Sequence, residues 1–170
     1  LETVPASFGN LMKLKRVVLE CNRLRRLPET LGKLQCFLLN LNSNRLGGLP
    51  HCIKDMANLK KLLVNDNGLR SLPSDIGYSK SIEVMHLSGN RLTQLPDSLC
   101  ELSTLTSLWL SHNYITGLPM NWHKLEQLTE MTMEGNDHMV YPGHDVLSEG
   151  PQRVRDWCSR RYNDRIHSRK

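Results

Sequence analysis

The stretch LSGNRLTQLPDSL at residues 87–99 contains the unit from which the chain is built. Its asparagine recurs every 22 or 23 residues, and a proline follows each asparagine by six residues. The asparagines are Asn22, Asn44, Asn67, Asn90, Asn113 and Asn136, and the prolines, with one more near the start, are Pro5, Pro28, Pro50, Pro73, Pro96, Pro119 and Pro142. A fixed period of this length indicates one supersecondary unit that buries its apolar face against its neighbours. The sequence therefore predicts an elongated stack of repeats.

Two periodicities coexist in each repeat. Around Asn113 the apolar positions are Leu105, Leu108, Leu110, Ile115, Leu118 and Trp122. The alternation of Leu108 and Leu110 predicts a short strand, and successive strands are expected to pair in parallel. The Leu-Pro pair that follows ends the regular structure, because proline lacks an N–H and restrains the residue before it. We therefore expect loops and short helical turns on the opposite wall.

The repeated asparagine has a structural role. Where the strand turns inward, backbone amides and carbonyls enter the core without ladder partners, and a side-chain amide can both donate to and accept from them. We interpret these residues as core scaffolding, and we expect Trp122 to be a core residue too.

The segments LVNDNGLRSLPSDI (63–76), LSGNRLTQLPDSL (87–99) and LSHNYITGLP (110–119) resemble leucine-rich repeats of the 23-residue Leu-Pro class. The resemblance covers residues 1–142. It implies an α/β leucine-rich repeat solenoid, with a curved parallel sheet on the concave face, loops and short helical turns on the convex face and a C-terminal capping helix. Intracellular scaffolds such as Erbin and Scribble, and the repeat region of ROCO-type GTPases, are similar. They imply a protein partner in intracellular signalling, with a small GTPase among the candidates.

The sequence departs from the regular pattern at two places. The second repeat is one residue short, which we place around Cys36 to Leu39, and His138 stands where preceding repeats carry leucine or isoleucine. We expect local irregularity at both.

Composition restricts the classes of function. Residues 1–150 hold fifteen basic and fifteen acidic residues, so nucleic-acid binding by the array is not expected, because phosphate recognition needs clustered positive charge. The five cysteines form no close cluster and no N-x-Ser/Thr sequon occurs, which favours a reducing, cytoplasmic location. No apolar stretch approaches the roughly 20 residues of a membrane span.

We divide the chain into a repeat array at 1–147, with a partial first repeat and six more, and a basic capping helix and tail at 148–170. Within the second part, Val154, Trp157, Cys158 and Tyr162 fall at helical spacing after Pro151. The array itself begins inside a repeat, so we expect either an upstream segment or residues 1–11 to cover its first end.

The strand register predicts which residues lie on the open side of the sheet. Relative to each asparagine they occupy the positions six, four and two residues before it, and leucine-rich repeats present such residues on the concave face. The candidate partner-binding residues are Arg16, Leu38, Asn40, Lys61, Leu63, Val84, His86, Trp109, Glu130 and Glu134. Trp109 is expected to be solvent-accessible and to act as the central anchor, since interfaces are enriched in tryptophan. The alternative is that Trp109 lies flat across neighbouring strands or packs on Tyr114 and binds no partner.

Catalytic and metal-binding patterns are not recognised in the sequence. Seven histidines are scattered, and no HExxH, GxSxG, Gly-rich phosphate loop or CxxC pair occurs. We predict a non-enzymatic protein-interaction scaffold without cofactor, metal or small-molecule substrate. The alternative is a membrane or nucleic-acid adaptor acting through the basic residues 151–170, and a third, less favoured reading is the repeat region of a larger enzyme.

Overall fold

A single six-stranded parallel sheet organises the chain in the computed structural model, which describes residues 1–167. Its strands follow one another in sequence order, so each repeat pairs with the repeats on either side of it. The strands are β1 (Arg16–Val18), β2 (Leu38–Asn40), β3 (Lys61–Leu63), β4 (Val84–His86), β5 (Ser107–Trp109) and β6 (Glu130–Thr132). The predicted parallel solenoid is confirmed.

Short 3-10 helices form the wall opposite the sheet, as the sequence predicted. They are Ala6–Asn10, Glu29–Lys33, His51–Asp55, Ile76–Tyr78, Asp97–Glu101 and Trp122–Lys124. Pro5, Pro28, Pro50 and Pro96 immediately precede four of them, with φ between −68° and −75°. Proline suits this position because the first N–H groups of a helix have no partner within it.

One apolar core runs between the two walls. The inward residues of β2 to β5 are fully buried, as is Trp122, which confirms its predicted place. The asparagine ladder lies beside this core. In the Asn113 repeat, Nδ2 donates to the carbonyls of Leu87 and Leu110, both at 3.0 Å, while Oδ1 accepts the N–H of Leu92 at 3.0 Å. The side chain thus joins two repeats.

The residue directly before each repeated asparagine has a left-handed backbone conformation, which turns the chain away from the strand. Cys21, Ser43, Asp66 and His112 adopt φ between 53° and 56° there. Gly89 and Gly135 adopt the same conformation at φ 68° and 70°. At Gly89 a Cβ would lie 2.3 Å from Oδ1 of Asp66, so both the backbone conformation and the neighbouring side chain favour glycine.

The short second repeat is irregular, but our placement of the missing residue was wrong. β2 pairs in full register with β1 and β3, so the strand itself loses nothing. In four repeats a turn of four residues, such as Met56–Leu59, follows the 3-10 helix and is closed by a hydrogen bond from its last N–H to its first carbonyl. The second repeat omits this turn, and Leu34, directly after the 3-10 helix, is already in extended conformation. The deletion therefore lies before Cys36.

Two α-helices follow the last repeat, α1 (His144–Ser148) and α2 (Pro151–His167). The predicted domain boundary at 147/148 falls within α1 and stays a prediction, while the predicted basic helix is confirmed by α2 over its described part. Val154 and Cys158 are buried on α2, and Trp157 packs against the core from it. Arg169 and Lys170 lie outside the described residues. Within 1–167, no helix has both the length and the apolar character needed to cross a membrane.

Candidate protein-binding surface

The strand register brings the predicted binding residues together on one side of the sheet. Asn40, Leu63, His86 and Trp109 are direct partners across β2 to β5, and Leu38, Lys61 and Val84 form the neighbouring row. Adjacent strands lie roughly 4.8 Å apart, so these side chains form a continuous surface. We call its apolar part, Leu38, Leu63, Val84, His86 and Trp109, the central strip.

His86 and Trp109 form the centre of this strip by stacking on one another. Their ring centroids are 3.8 Å apart and the ring planes differ by 7°. Both residues are half-buried, as are Leu38, Leu63 and Val84. A stacked aromatic pair is worth about 0.5–1.5 kcal/mol beyond its area burial, so the two rings hold each other in a fixed orientation.

Trp109 is less accessible than we expected from the sequence. Its ring stacks face to face on the His86 ring of the neighbouring strand, and Nε1 is buried with no hydrogen-bond partner among the described residues. The cause is His86, whose ring lies in the same row one strand away and covers one face of the indole. Half-burial leaves part of the indole exposed, so Trp109 still presents apolar surface to a partner.

The surroundings of His86 favour its neutral form. Burial lowers the pKa of His86 below its ordinary value of about 6.5. Glu130 opposes this shift and Lys61 adds to it. The centre of the strip therefore carries no charge, which lowers the desolvation cost of covering it.

Polar and charged residues surround the strip and are themselves held in place. Glu20 accepts a hydrogen bond from Asn40 at 2.6 Å, Glu130 accepts one from Ser107 at 2.6 Å, and Glu134 accepts one from Ser111 at 2.6 Å. The Ser111 hydroxyl, assisted by backbone N–H groups, lowers the pKa of Glu134. Arg16 and Lys61 are exposed toward the other end. Both signs of charge therefore occur near β1, where Arg16 and Glu20 lie, whereas Glu130 and Glu134 make the β6 side negative.

Two further residues of this surface were not selected from the sequence. Oδ1 of Asn42 accepts the N–H of Asn65 at 2.8 Å, and Oδ1 of Asn65 accepts the N–H of Ser88 at 2.8 Å. These hydrogen bonds link neighbouring repeats just after the ends of β2, β3 and β4. The sequence signal that could have identified these two residues is an asparagine at the same outward-facing position of two successive repeats.

The comparisons with known proteins agree with this geometry. Residues 80–137 match the leucine-rich repeat family. Residues 80–137 therefore belong to the leucine-rich repeat family, and the described chain has the leucine-rich repeat fold. None of the curated proteins compared with it matches. No specific likeness to Erbin or Scribble is shown.

Solved structures with the same fold belong to different kinds of protein. A leucine-rich repeat protein of Leptospira interrogans is 29% identical, with a TM-score of 0.58, over 78% of this chain and 40% of that one. A chain of the PEPR1-AtPEP1 crystal structure is 30% identical, with a TM-score of 0.66, over 79% of this chain and 20% of that one. The leucine-rich repeat domain of the type III effector XopL shares the fold at 22% identity, with a TM-score of 0.67, over 81% of this chain and 50% of that one. The present chain thus spans from a fifth to a half of the length of these proteins.

The basic helix α2 serves as a cap for the leucine-rich repeats. Arg155 donates through Nη1 to the carbonyls of Leu125 and Leu128, the latter at close range. Arg161 lies over the rings of Tyr141 and Trp157, at 5.3 and 5.2 Å from their centroids, and Arg153 pairs with Glu149 at 3.2 Å. Three of the arginines that suggested a membrane or nucleic-acid adaptor therefore have partners within the fold.

The cysteines and histidines do not assemble into a reactive centre within residues 1–167. All five cysteines are free thiols, and no group of three metal-ligating side chains occurs there. Burial raises the pKa of Cys52 and of Cys100 to about 12 and that of Cys158 to about 11. Thiols with such pKa values are poor nucleophiles, because the thiolate is the reactive form.

Proposed function

We propose that this protein is a non-catalytic interaction module that binds a protein partner over the central strip. Leucine-rich repeat domains commonly act in this way, through the extended surface that stacked repeats create. The observation that supports the proposal is the stacked His86 and Trp109 pair, which is uncharged, half-buried and flanked by Leu63. Interface hot spots combine an ordered aromatic anchor with polar residues that exclude water.

The shape of the surface favours a macromolecule over a small ligand. Small-molecule sites are concave and bury most of the ligand. The central strip instead extends along four strands of an open sheet face. A cavity of about 550 Å³ lies elsewhere, between the last repeat and α2, where Met120, Tyr141 and Arg161 contribute to its wall.

Trp109→Ala tests the proposal. Peptides selected from a displayed library on the wild-type protein serve as probes, and calorimetry measures their affinity for each variant. We expect the dissociation constant to rise about thirtyfold for Trp109→Ala, which corresponds to about 2 kcal/mol for a central anchor. Leu63→Ala should have a smaller effect in the same direction.

Thr132→Ala is the matched control, because Thr132 belongs to the same row but lies beyond the apolar strip. Its affinity should stay within about twofold of wild type. Since Trp109 stacks on His86, Trp109→Ala should also lower the free energy of unfolding by about 1 kcal/mol. Selected peptides that bind Trp109→Ala and Leu63→Ala as tightly as wild type would show that the partner uses another face.

We further propose that the interaction takes place in the cytoplasm and serves signalling, with a small GTPase as one partner class. The five free cysteines support a reducing compartment, and the resemblance to ROCO-type proteins supports the GTPase. Fluorescent tagging of the full-length protein tests the location. A panel of purified small GTPases, loaded with GDP or with a GTP analogue, tests the partner class by calorimetry.

A further inference from the structure

The last strand, β6, has a neighbouring strand on one side only, so the backbone hydrogen-bond ladder of the sheet ends there. At each earlier step an N–H donates to the carbonyl of the following strand, as from Leu87 to Trp109 at 2.8 Å and from Leu110 to Thr132 at 2.9 Å. The next N–H in this series belongs to Met133. The sheet within residues 1–167 has six strands, so no seventh strand of the described chain accepts it.

Burial shows the same incomplete end at Met131, although Met133 is itself buried. The inward residues of the preceding strands, Leu39, Leu62, Met85 and Leu108, are fully buried because a following strand covers them. Met131 occupies the equivalent position on β6 and is only partly buried. A groove of about 360 Å³ opens beside it, lined by Met131, Met133, Glu134, His144, Leu147, Ser148 and Gly150. The groove thus lies where the next inward side chain of a continuing sheet would sit.

Negative charge flanks this edge. Glu130 on β6 and Glu134 just after it are exposed. Through Oε2 each accepts a hydrogen bond from a serine of the preceding repeat, Ser107 on β5 and Ser111 just after it. A residue opposite either glutamate on a seventh strand would approach it from the side away from β5. Cross-strand pairs of opposite charge stabilise a sheet, whereas like charges destabilise it.

We propose that the edge of β6 binds an extended segment of a partner protein as a seventh, parallel strand. The segment has the pattern basic, apolar, any residue, apolar, basic, aligned with Glu130 to Glu134. Its apolar residues fill the groove beside Met131 and Met133, while its basic residues face Glu130 and Glu134. Its backbone carbonyls accept the outward N–H groups of Met131 and Met133, which is the β-augmentation mode of peptide recognition.

The test uses the 170-residue chain and the synthetic peptide acetyl-Lys-Leu-Thr-Leu-Lys-amide, titrated in an NMR experiment that follows backbone amides. We expect the amide protons of Met131 and Met133 to shift downfield as they gain acceptors. Amides of β1 and β2 should not move. The peptide acetyl-Glu-Leu-Thr-Leu-Glu-amide should bind at least about fivefold more weakly, as expected when two exposed ion pairs become repulsive.

The double variant Glu130→Lys, Glu134→Lys tests the charge complementarity directly, because both side chains are exposed and their exchange spares the core. It should reverse the preference between the two peptides. Leu63→Asp, on β3, should leave peptide binding unchanged, which separates this edge from the central strip. Unshifted amides at Met131 and Met133, equal binding of both peptides, or loss of binding in Leu63→Asp would each overturn the proposal.

Discussion

At the scale of single residues, the asparagine ladder determines how one repeat is joined to the next. Asn113 is buried, and its side chain makes hydrogen bonds both to its own repeat and to the preceding one. Neither a carboxylate nor an aliphatic side chain could both donate and accept at this place. The asparagine spacing therefore predicted the stack correctly, because the requirement is chemical and repeats with the backbone.

Asn113→Ala should lower the free energy of unfolding by about 2 kcal/mol. The change leaves the buried N–H of Leu92 without a partner, while the carbonyls of Leu87 and Leu110 each lose one of two amide donors and keep Nδ2 of Asn90 and of Asn136. Urea denaturation measures the difference. Asn22→Ala is the control: Asn22 is partly exposed and water can replace its bonds to Leu19 and Glu20, so it should cost about 1 kcal/mol or less. Equal losses in the two variants would contradict the role of burial.

Sequence reasoning located Trp109 but not its conformation. The period of two fixes the direction of the Cα–Cβ bond, so the face and the register could be read from the spacing. The side-chain rotamer depends on which ring occupies the adjacent strand, and here the His86 ring covers one face of the indole. The same limit explains why the hydrogen bonds of Ser107 and Ser111 to Glu130 and Glu134 were not predicted.

At the scale of elements, α2 closes the convex side of the last repeat. Its contact is polar as well as apolar, since Arg155 donates to two carbonyls that follow the 3-10 helix Trp122–Lys124. Helical spacing predicted the apolar side of α2, because Val154, Trp157 and Cys158 share one face. It could not predict which arginine turns inward, since that depends on where unpaired carbonyls of another repeat lie.

Arg155→Ala should therefore loosen α2 without affecting the rest of the stack. We expect the free energy of unfolding to fall by about 2 kcal/mol, the usual range for hydrogen bonds from a charged donor. Hydrogen exchange should accelerate in α2 and residues 122–128 but not in β1 to β3. Arg160→Ala, on an exposed side of the same helix, removes the same charge and should change stability by less than about 0.5 kcal/mol. If the two variants behave alike, net charge rather than capping governs the docking of α2.

At the scale of the whole molecule, buried thiols are spread along the core, at Cys36, Cys52, Cys100 and Cys158. Burial raises the pKa of each, because a thiolate is poorly solvated in the core. The folded state therefore keeps these protons in a pH range where the unfolded chain releases them.

This difference predicts that stability falls as pH rises above about 9. Folded Cys52 and Cys100 have pKa values of about 12 against 9.0 for the free group, so between these values the unfolded chain binds fewer protons and is favoured by alkali. At pH 10 each thiol should lower the free energy of unfolding by about 1.4 kcal/mol relative to pH 7. Urea denaturation at both pH values measures the loss. The variant Cys52→Ala, Cys100→Ala controls for lysine and tyrosine titration, since it retains those groups and should lose about 3 kcal/mol less than wild type over the same interval. Parallel pH dependence in the two proteins would mean that these thiols do not control the alkaline limit.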